Sequence, residues 1–299
     1  MKIKEIELKD FRNYPYLKLE LSDGINILYG SNAQGKSNIL EAIYMCAAAK
    51  SYRGAKDKEL LRFTDGLNQC DDAHIKLIVE KKYTSNRIDV HIKKSARKGI
   101  AVDKFPVKNF GELIGILNVV VFSPENLDII RMGPVVRRDF IDSELISVSK
   151  IYYNNLVNFN KILDSRNKYL KNRDVHGNGD ITLLDILDEQ FVFYAKKIIK
   201  DRFVYIEKLS QIVSEIHYNI TGGKESLRME YNPNTRADEL ADKISENRQR
   251  DLKYGLTSFG PHRDDITFYI NDMDVKVFGS QGQKRTAAIS TKLAEISMI

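Results

Sequence analysis

The sequence predicts an α/β fold, a phosphate-binding core interrupted by a helical insertion. Three observations carry this. Gly30, Ser31, Asn32, Ala33, Gln34, Gly35, Lys36 and Ser37 spell G-x-x-x-x-G-K-[ST], set between a β-prone run at 25–29 and helix formers at 38–44. Apolar residues alternate with period two early in the chain and again near its end, as in half-buried strands. Between about 137 and 218 the apolar spacing changes to three and four residues, as in amphipathic helices.

The elements follow in order. Ile6 and Leu8 alternate with charges, and residues 16–21 do the same. Turn residues at Arg12, Asn13, Tyr14 and Pro15, and at Ser22, Asp23 and Gly24, make this an antiparallel pair ahead of the glycine loop. The helix after the loop continues through 42–49, apolar on most sides and therefore predicted buried. Ile75, Leu77 and Val79, then Ile88, Val90 and Ile92, read as a hairpin turning at Thr84, Ser85 and Asn86. Residues 116–122, between Gly115 and Pro124, form a nearly unbroken apolar run and predict a fully buried strand.

Beyond Pro134 the period is helical, over 137–171 and over 183–218, where Ile186, Phe191, Tyr194, Ile198 and Tyr205 share a face. A polar turn is expected at 172–180, and Gly222 and Gly223 stop the second helix. The charge-rich stretch 236–253 predicts one more helix. Strand alternation returns at Ile266, Phe268 and Ile270, turns at Asn271 and Asp272, and resumes at Val275 and Val277.

Composition bounds the possibilities. A chain of 299 residues with 42% hydrophobic content can bury a sizeable core, in one large domain or two lobes. The 47 basic against 41 acidic residues give +6, which permits a polyanionic partner without requiring one. Two cysteines, Cys46 and Cys70, make no disulfide framework and suit a reducing cytosol. No signal-peptide pattern opens the chain, and no apolar run approaches the ~18 residues of a membrane span, so a cytoplasmic location is expected.

Each residue type in the glycine loop has a task. Gly30 and Gly35 reach backbone angles that a Cβ forbids, so successive N–H groups can face a phosphate. The helix that follows adds its free N–H groups and positive dipole end. Lys36 would reach the β- and γ-phosphates of a nucleoside triphosphate, and the Ser37 hydroxyl would ligate Mg²⁺.

A second candidate site lies near the end. Ser280, Gln281, Gly282 and Gln283 begin a helix continued by Lys284, Arg285, Thr286 and Ala287. Ser is a common N-cap, and a hydroxyl at a helix N-terminus also suits an anion. The stretch is similar to the S-G-G-Q core of the ABC signature, which in that class caps the ATP γ-phosphate held by a second subunit.

Over nearly its whole length the chain resembles the RecF family of bacterial DNA-repair ATPases, relatives of SMC heads. The resemblance rests on Phe11-Arg12-Asn13-Tyr14, the loop ending Gly35-Lys36-Ser37-Asn38, Lys50-Ser51-Tyr52-Arg53 and Phe122-Ser123-Pro124-Glu125-Asn126-Leu127. It also rests on Arg137-Arg138-Asp139-Phe140-Ile141-Asp142, Gly260-Pro261-His262-Arg263-Asp264-Asp265 and the stretch from Gly279 to Thr286. It implies a P-loop ABC-type ATPase core with an inserted helical lobe, binding ATP and Mg²⁺. It further implies an ATP-dependent homodimer that binds DNA at gaps or single-/double-strand junctions and works with RecR and RecO to place RecA at single-strand gaps. Arg12 and Asn13 fall where related heads contact nucleotide, although a turn Asn and a solvated Arg would look the same. Arg53 falls where related heads hold an arginine that reaches phosphate charge, against a plain surface role. For 260–265 a tight hairpin is at least as good a reading as catalysis.

The domain expectation is residues 1–133 as the first part of the ATPase lobe, 134–235 as the helical lobe, and 236–299 as the second part with the signature. In the family an apolar strand ending in acidic residues follows the signature helix. This sequence stops at Ile299 inside that helix, and Leu183-Leu184-Asp185, in a helix-period stretch, is no substitute. The expectation is binding of ATP in preference to hydrolysis. Other readings are a non-catalytic ATP-gated DNA clamp or scaffold, and an SMC-like chromosome-maintenance head.

Overall fold

The computed structural model describes residues 1–64, 66, 68–172 and 181–298, with Ile181 described by its backbone alone. The chain divides into two compact units, Met1–Val121 and Phe122–Ile299. The expected polar turn at 172–180 falls, beyond Asn172, outside the described residues.

The first unit is built on an antiparallel sheet. Strands β1 (Lys2–Phe11) and β2 (Tyr14–Glu20) form the hairpin read from alternation, with the non-glycine Arg12 at φ 56° in its turn. Strands β3 (Asp72–Glu80), β4 (Ser85–Lys93), β5 (Gly99–Val102) and β6 (Phe105–Pro106) complete the order β2-β1-β3-β4-β5-β6. Period two sorts the side chains by face. Ile6, Leu8, Ile75, Leu77, Val79, Ile88, Val90 and Ile92 are buried on one face. There they join Ile39, Ala42, Met45 and Cys46 of helix α1 (Lys36–Ala48) in one core. Each large apolar side chain buried this way contributes about 1.5–3 kcal/mol. The sheet's other face is polar: Lys76 donates to Glu5 at 2.8 Å and Glu7 at 3.2 Å, and Arg87 to Asp89.

Two expectations fail in this neighbourhood. Residues 25–29 form no strand, and Ile25, Ile27 and Tyr29 are 89%, 78% and 92% exposed. Residues 116–122 form none either; Leu117 alone of them is buried, and Phe122 is 46% exposed. Strand propensity is realised only when a neighbouring strand supplies the hydrogen-bond ladder. The sheet of this unit closes its order without either run. Over 42–49 the expected burial holds at Ala42, Met45 and Cys46, and the remaining positions are half-buried.

The second unit is mainly helical. Its helices are α2 (Asp128–Arg131), α3 (Pro134–Val148), α4 (Lys150–Asn172) and α5 (Ile181–Ile220). Helix α5 ends as Gly222 and Gly223 turn left-handed and the Gly223 N–H reaches the Tyr218 carbonyl at 2.8 Å. Strand β7 (Leu227–Asn232), helices α6 (Leu240–Glu246) and α7 (Arg248–Tyr254), strands β8 (Asp265–Ile270) and β9 (Met273–Asp274), and helices α8 (Val275–Phe278) and α9 (Gln281–Met298) follow. The stretch 236–253 is thus two short helices instead of one. The strand expected at Val275 and Val277 is the helical turn α8, because the Asp274 carboxylate accepts from the N–H groups of Lys276 and Val277 and caps it.

Helix α5 packs against α4, α9 and β7, and one core runs through Phe159, Phe191, Ile198, Leu209, Val213, Phe268 and Ala287. The helical insertion and the signature helix therefore share one compact unit.

Candidate functional site

The glycine loop has the backbone that the motif requires. Gly30, Ala33 and Gly35 adopt φ of 144°, 66° and 89°. Ala33 in this region costs about 1–2 kcal/mol, a strain typical of ligand-binding loops. Gly35 caps α1 in the left-handed conformation, and a Cβ there would collide with the side-chain amide of Asn13. At φ 89° any larger side chain is strained, and it would also have to push the Asn13 amide aside. The Lys36 ammonium lies back over the loop, donating to the carbonyls of Gly30 at 2.8 Å and Ser31 at 2.7 Å. Ser31, Asn32, Gln34 and Ser37 line the loop, all four exposed.

The β1–β2 turn supports this loop from beside it. Asn13 Nδ2 donates to the Gln34 carbonyl at 3.1 Å, and Tyr14 Oη to the same oxygen at 3.3 Å. Asn38 Nδ2 donates to Asn13 Oδ1 at 2.9 Å, and Arg53 Nη1 to Asn38 Oδ1 at 3.0 Å. Arg12, Asn13, Asn38 and Arg53 are brought together around the start of α1.

Glu41 is the residue that sequence reasoning missed. It is fully buried and accepts from Arg12 Nε at 2.9 Å, Arg12 Nη2 at 2.7 Å and Ser51 Oγ at 2.5 Å, with Arg53 Nη1 at 3.7 Å. Burial pushes its carboxyl pKa up, but the Arg12 and Ser51 hydrogen bonds and the two arginine charges outweigh this, and the net shift is downward. Arg12 also donates to the Glu59 carbonyl at 2.9 Å. The available signal was a lone carboxylate in a helix face otherwise predicted buried.

At the second site, Ser280 and Gln283 form a reciprocal capping box. The Gln283 N–H donates to Ser280 Oγ at 3.2 Å, and the Ser280 N–H to Gln283 Oε1 at 2.9 Å. Gln283 Nε2 holds Glu225 at 2.9 Å, and Gln281 pairs with Arg131. Gln281 and Gly282 are exposed at the start of α9. An 18-residue helix presents its first N–H groups there.

The stretch 260–265 is tied into its unit by ion pairs and hydrogen bonds. Arg137 forms a two-point pair with Asp265 at 2.6 and 2.8 Å, and Arg138 donates to the Asp264 carbonyl at 2.7 Å. The buried Asp264 meets Arg202 at 3.2 Å and also Tyr231. Burial takes the His262 imidazole down to about 4, so it is neutral at physiological pH. Arg137 and Arg138 are thus engaged inside the unit.

Arg166, Arg202 and Lys292 are likewise buried against carboxylates, whereas one basic cluster of the first unit faces solvent. Lys56, Lys58, Lys93, Lys94 and Arg97 line a surface groove of about 830 Å³ in the first unit, shared with Asp57 and Glu59. Among the described residues no helix is long and apolar enough to cross a membrane.

Comparison with known proteins agrees with these features. Residues 2–298 match the family described as the RecF/RecN/SMC N terminal domain. The chain is 49% identical over 300 residues to the DNA replication and repair protein RecF of Lachnospira eligens, covering 100% of this chain and 81% of that one. It is 46% identical to RecF of Agathobacter rectalis, with the same coverage. Among solved structures, the recombination mediator RecF bound to ATP in the RecFOR pathway superposes with TM-score 0.91 at 36% identity, covering 99% of this chain and 80% of that one. An SMC head bound to the C-terminal winged-helix domain of ScpA superposes with TM-score 0.54 at 16% identity, covering 99% and 76%, a likeness of fold alone.

Proposed function

This chain belongs to the RecF family of DNA replication and repair proteins, and from that premise we propose that it is an ATP-dependent DNA-binding protein acting in the cytoplasm. In this reading it helps to load RecA at single-strand gaps, together with RecR and RecO. The observation that carries the reading is the glycine loop. Its left-handed backbone and folded-back Lys36 ammonium form a cradle for a polyphosphate, stiffened by Asn13 beneath Gly35.

ATP fits the residues present. Residues 30–36 offer backbone N–H groups and one ammonium to the phosphates. The Ser37 hydroxyl is a hard oxygen donor suited to Mg²⁺, which supplies charge neutralisation at the phosphates when bound. Asn38, Arg12 and Asn13 position the loop. The signature residues Ser280, Gln281, Gly282 and Gln283 cap the γ-phosphate held by a second copy, since a P-loop surrounds its phosphates from one side only. Two such caps fit one isologous two-fold dimer. Of the expected divisions 1–133, 134–235 and 236–299, the last two lie in one compact unit, so nucleotide is served by the first unit and by the signature end of the second.

The test is a fluorescent-nucleotide titration of Lys36→Ala. Losing a charge-assisted interaction of about 1.5–3 kcal/mol weakens ATP roughly 10- to 150-fold. Unchanged affinity would refute the site. DNA binding by the unaltered chain should require ATP and weaken steeply with salt. Equal binding without nucleotide would refute the ATP dependence.

A further inference from the structure

On the polar face of the sheet in the first unit, three side chains of metal-binding type converge away from the glycine loop. His74 on β3 and His91 on β4 stand directly opposite in the antiparallel register. Their rings stack with centroids 4.2 Å apart and planes at 21°, so a shared ion requires one ring, that of the exposed His91, to turn until its in-plane lone pair meets that of His74. Asp89, two residues before His91 and so on the same face, is buried, and its Oδ1 lies 2.9 Å from His74 Nε2. One ligand atom from each of the three lies within 4.8 Å of the others.

We propose that His74, Asp89 and His91 form a site for a divalent transition-metal ion, of the zinc or cobalt class, bridging strands β3 and β4. Two imidazoles and one carboxylate are the donor set that selects such ions over Mg²⁺, which prefers oxygen alone. The site is therefore chemically distinct from the place of a nucleotide's magnesium. Three protein ligands leave a fourth position for water.

The surroundings set how tightly it binds. Arg87 donates to Asp89 Oδ2 at 2.7 Å and Oδ1 at 2.8 Å, orienting the carboxylate as an outer partner orients a metal ligand. A metal on Asp89 Oδ1 would replace its contact with His74 Nε2, while Arg87 holds the carboxylate from its other side. Lys9 stands opposite His74 on β1, and Lys93 and Asp72 flank His91. The cations Arg87, Lys9 and Lys93 surround the cluster together with the carboxylates of Asp89, Asp72, Glu5 and Glu7. Coordination requires imidazoles free of the second proton, so binding weakens in acid.

The experiment uses the untagged full chain, stripped with chelator and titrated with Co²⁺ while the visible d–d absorption is recorded. The expected result is one equivalent bound with a four- or five-coordinate spectrum, displaced by Zn²⁺ and unaffected by Mg²⁺. His91 is exposed, so His91→Ala should fold normally and weaken Co²⁺ binding at least about tenfold. The double variant His74→Ala/His91→Ala should abolish the spectrum with an unchanged circular dichroism. Retention of the spectrum in the double variant overturns the assignment, and so does failure of the unaltered chain to bind Co²⁺ at millimolar concentration. Neither outcome touches the ATP site, which Lys36→Ala tests separately.

Discussion

Glu41 is the point at which packing and nucleotide binding meet, and its substitution offers a quantitative check. Glu41→Gln keeps the shape but removes the charge. One amide oxygen can still accept from Arg12 or Ser51, while the new NH₂ group faces a guanidinium donor at the 2.7–2.9 Å positions now held by carboxylate oxygens. Breaking a fully buried ion pair costs about 3–5 kcal/mol. Arg12 is 21% exposed at its side chain, so water recovers part of this. Losing one charge-assisted bond sets the lower bound of about 1.5–3 kcal/mol. The expected loss is therefore about 2–4 kcal/mol.

Urea unfolding followed by far-ultraviolet circular dichroism measures it, since the chain has no tryptophan to report by fluorescence. With a slope of about 2 kcal/mol per M, the midpoint falls by roughly 1–2 M. Hydrogen exchange in α1 locates the loss in the first unit. The pH dependence adds a sign. The folded-state pKa of Glu41 lies below its unfolded value, so its contribution is present above about pH 4.5 and is lost as pH falls through the folded value. The gap between the two proteins should then close in acid. A loss below about 0.5 kcal/mol at pH 7, the size of an ordinary surface substitution, refutes the reasoning, and so does a gap independent of pH.

Three further outcomes are expected. Ser280→Arg should bind ATP but stay monomeric in sedimentation with a non-hydrolysable analogue, beyond the ~1 kcal/mol its lost cap costs; an unaltered chain that is monomeric at saturating nucleotide refutes the dimer. Burial and then the neighbouring Glu144 push the Glu295 carboxyl up to about 9. The folded state thus keeps a proton that the unfolded state releases above about pH 4.5, and stability declines from there to about pH 9. Glu295→Gln also takes away the carboxylate that the buried Lys292 donates to, so the check is the trend: the variant should compare better with the unaltered chain at pH 8 than at pH 5, and a difference in Tm constant with pH would be contrary. Replacing Lys93, Lys94 and Arg97 by Ala should flatten the salt dependence of DNA binding by ~0.9 in log–log slope for each phosphate left without its cation, and an unchanged slope removes the basic groove from the interface.

What the sequence determined by itself was the set of features that depend on neighbours along the chain. The glycine loop, the β1–β2 and β3–β4 hairpins, the long helix α5 with its glycine stop, and the start of α9 all follow from spacing and caps within a few positions, although the β3–β4 turn lies at 81–84 and the expected turn residues Ser85 and Asn86 pair within β4. The alternation in β3 and β4 even sorted core from surface correctly, because period two leaves no freedom once one face is apolar.

Tertiary structure decided whatever needed a distant partner. Residues 25–29 and 116–122 have strand composition, but a strand exists only where another strand pairs with it, and no local signal names that partner. Glu41 is a carboxylate in an apolar helix until Arg12, Ser51 and Arg53 arrive from other segments to hold it. Arg137 reads as one more basic residue until Asp265, far along the chain, takes two of its three guanidinium nitrogens. A buried charge is tolerated only with its counter-charge in place, and that pairing is made by the fold.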